Sequence, residues 1–123
     1  MANAVTIPTG TNGVYSFVVQ PKIADHPNCS YLMYVGETEK QGFRARYRQY
    51  LREKKKGPLA RKRIHVVRML RKWDRHMWFL YAPVANSKLI QRIEDELIAA
   101  YLPPANREFP SSVRTAIKKL FDV

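Results

Sequence analysis

The chain has few of the residues that build disulfides, zinc sites or membrane spans. Among 123 residues there is one cysteine, Cys29, which excludes an internal disulfide and a CxxC zinc motif. No apolar run approaches the ~20 residues that a membrane-spanning helix needs. The first residues also lack the basic and apolar regions of a secretory signal. We therefore expect a cytoplasmic protein with no membrane partner.

Acidic residues are also scarce, and their scarcity is confined to one segment. The chain has 22 lysines and arginines against 10 acids, a formal net charge of +12. Residues 44–75 contain 14 of the basic residues and two of the acids, so this segment carries the whole net charge. Arginines with interleaved aromatics are typical of a surface that binds phosphate backbones, and a solvated or lipid-facing surface is the alternative. The predicted nucleic-acid-binding residues are Arg44, Arg48, Arg52, Lys54, Lys55, Lys56, Arg61, Lys62 and Arg63.

Residue patterns predict an α+β chain with the element order ββααβα and a short C-terminal helix. β-Branched and aromatic runs indicate strands, whereas breaker-free stretches of strong helix formers indicate helices. The predicted strands are residues 14–19, 31–36 and 76–82, and the predicted helices are residues 43–55, 58–72, 87–102 and 113–121. The first two strands are expected to pair in antiparallel fashion across a long loop. Residues 1–12 are a short polar lead-in, and residues 107–123 a helical extension of the same domain.

One carboxylate of the third predicted helix is unusual. At about 100° per residue, Leu89, Ile90, Ile93, Leu97, Ile98 and Tyr101 share one face. Glu94 lies inside this apolar arc, where an ionised carboxylate needs a cation or hydrogen bonds. Helix geometry leaves two readings open: a ligand of a hard divalent cation, or a salt bridge to an arginine of the basic segment.

The motifs in their order along the chain resemble a known family, the GIY-YIG nucleases. Gly13-Val14-Tyr15 and Tyr34-Val35-Gly36 resemble the two tripeptides that give the family its name. The further matches are Phe43, Arg46 and Tyr50 at the spacing of the family's essential arginine, Glu94 before a Leu-Ile pair, and Asn106 after Pro103-Pro104. Each match is weakly specific, and the five in this order are strong together. The resemblance covers residues 13–106.

The resemblance implies a small three-stranded antiparallel sheet flanked by helices and a metal-dependent endonuclease acting on DNA phosphodiester bonds. It implies one Mg²⁺, with Mn²⁺ as a substitute, held by Glu94, and a phosphate bound by Arg46. Tyr15 would orient or deprotonate the attacking water, on the expectation that nearby positive charge lowers its ordinary pKa of about 10. The site residues implied in this way are Tyr15, Tyr34, Arg46, Tyr50, Glu94 and Asn106.

The sequence departs from the family pattern at three places. The loop around residues 20–30 is an insertion. The segment between Gly36 and Arg46 is longer than in compact members, which makes Arg44 a rival for the essential arginine. Tyr50 stands where several homing-type members have histidine, and His65 from the second helix could take that place sterically.

A different class of function fits the same residues. A catalytically inactive nucleic-acid-binding module, for DNA or RNA and as part of a larger complex, would need the basic segment alone. It would not need a carboxylate beside a phosphate, which favours the enzyme. The sequence leaves open a homodimer or a targeting partner protein, because no sequence-reading motif such as a zinc finger is present.

Overall fold

The computed structural model describes residues 6–20, 30–57 and 64–106, together with Thr115 and Lys119. The elements there are β1 (Gly13–Val19), β2 (Tyr31–Thr38), α1 (Phe43–Lys56), α2 (Ile64–Lys72), β3 (Met77–Pro83) and α3 (Ser87–Tyr101), with a 3₁₀ turn at Asp74–His76. This order confirms the predicted α+β class. The start of the second helix at 58–63 lies outside the described residues. Of the predicted helix at 113–121 the structure describes Thr115 and Lys119, and both are helical. No helix in the described part is long and apolar enough to span a bilayer.

The three strands form one antiparallel sheet with β1 in the centre, in the order β2-β1-β3. This confirms the predicted pairing of the first two strands and fixes their register. Tyr15 lies opposite Gly36, and Phe17 lies opposite Tyr34. Side chains alternate between the two faces of a strand. The phenols of Tyr15 and Tyr34 therefore share a face, with ring centroids 6.4 Å apart.

Helices α1 and α2 cover one face of the sheet with an aromatic core. Tyr15 and Phe17 of β1 pack against Tyr50 of α1, with ring centroids 5.8 and 5.1 Å apart in edge-to-face geometry. Leu70 of α2 is buried in the same cluster. This core holds α1 against the sheet and so fixes the position of its arginines.

Helix α3 covers the other face of the sheet, and fewer of its apolar residues are buried there than the helical pattern predicts. Ile90 and Ile98 pack with Val35 of β2 in a second buried cluster. Leu89 and Tyr101, which the helical pattern assigned to the same apolar face, are 42% and 63% exposed. The helix packs chiefly on β1 and β2, and these two residues at the margins of its apolar arc remain in solvent.

Residues 6–12, the described part of the predicted lead-in, pack against the sheet and α1. Ile7 is 1% exposed and belongs to the aromatic core. The carbonyl of Thr11 accepts a hydrogen bond from the Phe43 N–H at 3.0 Å, and the Asn12 side chain accepts one from the Gly42 N–H at 2.8 Å. These bonds anchor the first turn of α1, whose N-terminal N–H groups have no partner within the helix.

Candidate active site

A cleft of about 340 Å³ opens at the β2 edge of the sheet, where α1, α2 and α3 all approach. Its lining residues are Tyr15, Tyr34, Val35, Gly36, Glu37, Arg46, His65, Glu94, Ile98 and Asn106. Five of the six predicted site residues are among them. The sixth, Tyr50, is fully buried and contacts Tyr15 from behind the cleft wall.

Tyr15 reaches the cleft from the central strand because its neighbour on β2 is a glycine. A Cβ at Gly36 would lie 2.4 Å from both Cζ and the hydroxyl oxygen of Tyr15. The ring thus crosses β2 directly above Gly36, and no other residue leaves room for it. The close packing of Tyr15 explains the glycine of the second tripeptide.

The Tyr15 hydroxyl is part of a buried phenol pair. It lies 2.6 Å from the Tyr50 hydroxyl, and either can be the donor. Burial, followed by the neighbouring phenols Tyr50 and Tyr34, raises the pKa of Tyr15 well above its ordinary value, and Arg46 opposes this only weakly. The expectation that positive charge lowers this pKa is therefore wrong for the protein alone, because desolvation outweighs the guanidinium.

Arg46, rather than its rival Arg44, lies in the cleft. Arg46 is half-buried on α1, and its Nε is buried without a hydrogen-bond partner. Arg44 instead donates from Nε to the Ile7 carbonyl and lines a different cleft. A buried donor without a partner costs about 1–3 kcal/mol, which an anionic ligand at Arg46 would recover.

Glu94 enters the cleft from α3 with a strongly perturbed carboxyl group. Burial, and next the charge of Glu37, raise its pKa from 4.5 to about 7. Its described hydrogen-bond donor is Gln91 Nε2, at 3.4 Å. Within the described residues no arginine or lysine forms an ion pair with Glu94, so the salt-bridge reading gains no support there.

Glu37 is a cleft residue that sequence reasoning missed. It follows the second tripeptide directly, and its Oε2 is buried without a hydrogen-bond partner. Burial, and next the charge of Glu39, raise the pKa of the Glu37 carboxyl, whereas Arg46 lowers it. Strand alternation could have identified Glu37, because it puts this residue on the same face of β2 as Val35, the face that α3 covers.

Asn106 closes the end of the cleft by pairing with the free edge of β2. Its Oδ1 accepts from the Val35 N–H at 2.9 Å, and its Nδ2 donates to the Val35 carbonyl at 2.8 Å. The side-chain amide thus satisfies two backbone groups that no strand pairs with. This pair of hydrogen bonds fixes the β2 backbone beside Gly36.

The carboxylates of the cleft fit a hard divalent cation that a phosphate also binds. Within the described residues no group of three or more His, Cys, Asp or Glu side chains could hold a metal by itself. Mg²⁺ needs fewer protein ligands, since one or two carboxylates, phosphate oxygens and waters complete its shell. The buried, unpartnered Oε2 of Glu37 and the raised pKa of Glu94 are both features that a bound cation would relieve.

The described members of the predicted nucleic-acid-binding set all lie on α1, and they line different clefts. Arg44, Arg48 and Arg52 line a second cleft. Lys54 forms an ion pair with Asp74 at 2.6 Å, and its carbonyl accepts from Arg71. Lys55 and Lys56 are exposed at the end of α1. Arg61, Lys62 and Arg63 lie outside the described residues.

Comparison of the chain with family models, with curated proteins and with solved structures finds no match. The resemblance to GIY-YIG nucleases therefore rests on the sequence motifs and stays a prediction.

Proposed function

We propose that this chain is a metal-dependent endonuclease that hydrolyses DNA phosphodiester bonds. The observation that carries the proposal is that Arg46 and Glu94 enter one cleft from opposite faces of the sheet, with phenols between them. A guanidinium attracts a phosphate, whereas an ionised carboxylate repels it unless a cation lies between the two. The presence of both groups in one cleft therefore favours a metal-bridged phosphodiester over simple binding.

The residues of the cleft divide the reaction between them. Arg46 binds non-bridging phosphate oxygens and neutralises the charge that develops there. Tyr34 and Tyr15 supply hydroxyls for the attacking water, and the raised pKa of Tyr15 keeps its phenol protonated, so it positions water through hydrogen bonds. His65, which also lines the cleft, is a candidate general base for the attacking water. Asn106 keeps the β2 edge in place.

Glu94 would hold the cation, with Glu37 beside it. When bound, Mg²⁺ or Mn²⁺ supplies a Lewis acid for the phosphate and stabilises the leaving oxygen. Because burial and Glu37 raise the pKa of Glu94 to about 7, the carboxylate binds a cation more strongly as pH rises toward that value.

A plasmid-nicking assay with Mg²⁺ or with EDTA tests the proposal. We expect metal-dependent nicking by the wild type and a loss of at least about 10²-fold in Glu94→Gln, since a metal ligand is removed. The matched control is Asp95→Asn, which removes the same charge from the next position of α3, outside the cleft lining. That variant should cleave at close to the wild-type rate, and all three proteins should bind DNA.

Two outcomes contradict the proposal. Equal cleavage by Glu94→Gln and wild type would remove Glu94 from the metal site. Salt-sensitive binding by every variant, without cleavage of duplex DNA, branched DNA or RNA, would identify an inactive nucleic-acid-binding module.

A further inference from the structure

A second positive cleft, of about 310 Å³, lies on the other side of α1 from the active-site cleft. It lies between α1 and the segment before β1, and its lining includes Thr9, Gly10, Arg44, Arg48 and Arg52. None of its lining residues lines the active-site cleft. We call it the arginine groove.

The three arginines of the groove form a row. They are spaced by four residues, so each lies about 6 Å further along the helix axis than the one before. Arg48 and Arg52 are exposed, and the hydrogen bond from Arg44 Nε to the Ile7 carbonyl holds the first member in place. A DNA strand carries a regular row of phosphates, so a row of arginines can contact several neighbouring phosphates of one strand. The described lining of the groove contains no acidic residue.

Helix α1 separates the arginine groove from the active-site cleft. At about 100° per residue, Arg46 and Arg48 point about 160° apart around the helix axis. The buried residues Phe43, Tyr47 and Tyr50 hold the side of α1 between them against the sheet. The two clefts therefore lie on the two flanks of one helix, which is about 10–12 Å wide with its side chains.

We propose that one DNA duplex binds with α1 between its two backbones, the scissile strand in the active-site cleft and the complementary strand in the arginine groove. The inference rests on the proposed function for the identity of the ligand. The major groove of B-DNA is about 12 Å wide and admits an α-helix, so the strands that border it are separated by the width of α1. Ala45 is exposed on the side of α1 that faces away from the sheet. Its short side chain allows α1 to lie close to the base edges at the floor of the DNA major groove.

The competing arrangement, one strand that contacts both flanks, requires the DNA to turn around a single helix. Duplex DNA has a persistence length of about 150 bp, and bending a short site sharply costs several kcal/mol. Two parallel backbones meet both clefts without this deformation. The arginine groove thus holds the strand that is not cut.

Salt-dependent binding of two duplexes tests the arrangement without any cleavage step. One duplex is natural, and in the other one strand carries neutral methylphosphonate linkages throughout. The protein is the Glu94→Gln variant in EDTA, with Arg46→Gln or Arg48→Gln/Arg52→Gln added. The quantity measured is the salt slope, the steepness with which log K falls as log[salt] rises. On natural DNA, Arg46→Gln should lower the salt slope by about 0.9, and Arg48→Gln/Arg52→Gln should lower it by about 1.8. On the half-neutral duplex the single charged strand occupies one cleft. Either Arg46→Gln or Arg48→Gln/Arg52→Gln should therefore lower the salt slope, but not both.

Controls keep the result interpretable. Arg75→Gln/Lys88→Gln removes the same charge from exposed positions outside both clefts and should change the slope equally little on both duplexes. If Arg46→Gln and Arg48→Gln/Arg52→Gln both lowered the salt slope on the half-neutral duplex, one strand would contact both clefts. That result would overturn the arrangement. An unchanged slope for Arg48→Gln/Arg52→Gln on natural DNA would overturn it as well. A correct slope pattern with no nuclease activity would refute the proposed function and leave the arrangement standing.

Methylated bases test which groove receives α1. N7 of guanine lies in the major groove, and N3 of adenine lies in the minor groove. Duplexes with N7-methylguanine should bind at least about fivefold more weakly, whereas those with N3-methyladenine should bind as unmodified DNA does. Weakening by N3-methyladenine alone would place α1 on the minor-groove side and overturn the proposed placement.

Discussion

The phenol of Tyr15 shows how burial decides the chemistry of a single residue. The side chain is 2% exposed and lies among other aromatic rings. Desolvation penalises the phenolate, and the nearby guanidinium of Arg46 is the weakest of the influences on the Tyr15 pKa. The hydroxyl is therefore a fixed hydrogen-bonding group in the protein alone, and the proposed hydrolysis needs a base other than Tyr15.

The Tyr15–Tyr50 hydrogen bond can be measured by a double-mutant cycle. Tyr15→Phe and Tyr50→Phe should each lower the free energy of unfolding by about 1–2 kcal/mol, because each removes one partner of a buried bond. The double variant should cost less than the sum, with a coupling of about 1 kcal/mol. Urea unfolding measures all three variants. Strictly additive losses would show that the 2.6 Å contact contributes nothing to stability.

At the scale of the elements, the pairing of β1 with β2 creates the cleft. Gly36→Ala would bring a methyl group against the Tyr15 ring. We expect a loss of about 1–3 kcal/mol in unfolding free energy from this overpacking. Cleavage should fall as well, since the ring must leave its position above β2. Urea unfolding and the nicking assay measure the two effects.

The second variant Gly36→Ala/Tyr15→Leu separates steric conflict from backbone effects. A smaller side chain at position 15 makes room for the new methyl group, so the double variant should be more stable than the two separate losses predict. Additive losses would mean that Gly36 is needed for its backbone conformation rather than for the ring above it.

The sequence predicted the elements well because their signals are local. Strand runs, a cap of α3 at Asn86 or Ser87, and the end of α3 before Pro103 are all predictable from a few neighbouring residues. The structure selects Asn86, whose side chain accepts from the Lys88 N–H at 3.0 Å. Glu94 was found in the same way, from its position on one helix.

The contacts that complete the site were not predictable, because they join residues far apart in the chain. Asn106 bonds to Val35 across 71 positions, and Glu37 influences Glu94 across the β2–α3 contact. Strand register cannot be read from sequence. The pairing of Tyr15 with Gly36, which brings a phenol of the central strand to the sheet edge, could therefore not be predicted. The burial of Ile7 was missed because a short segment has no periodicity.

For the whole molecule, the distribution of charge is more informative than its sum. A net charge of +12 repels cations, yet the active-site cleft brings Glu37 and Glu94 together. Arginines on both flanks of α1 attract a polyanion, and the two carboxylates disfavour it unless a cation is present. Under the proposed function, the protein would combine a general attraction for phosphates with a cleft in which a phosphate requires a metal ion.

This carboxylate pair should make the stability of the whole domain depend on pH. The folded pKa of Glu94, about 7, lies above its ordinary value of 4.5. The folded state therefore holds a proton that the unfolded chain releases, and stability falls as pH rises from about 4.5 to about 7. Glu94→Gln removes this penalty. In EDTA the variant should match wild type at pH 4.5 and exceed it by about 1–2 kcal/mol at pH 8, a value reduced for partial solvent screening.

Urea unfolding of both proteins at the two pH values measures the difference, with Glu96→Gln as the matched control. Glu96 lies on the same helix, is exposed and pairs with Arg92 at 3.1 Å, so its replacement should give no gain at pH 8. Saturating Mg²⁺ should narrow the gap between wild type and Glu94→Gln, because a cation bound to the ionised carboxylate stabilises the wild type alone. If Glu94→Gln raised the unfolding free energy equally at both pH values, the glutamine would simply pack better than the glutamate. The charge of Glu94 would then not destabilise the fold, and a metal ion would have no such effect to relieve.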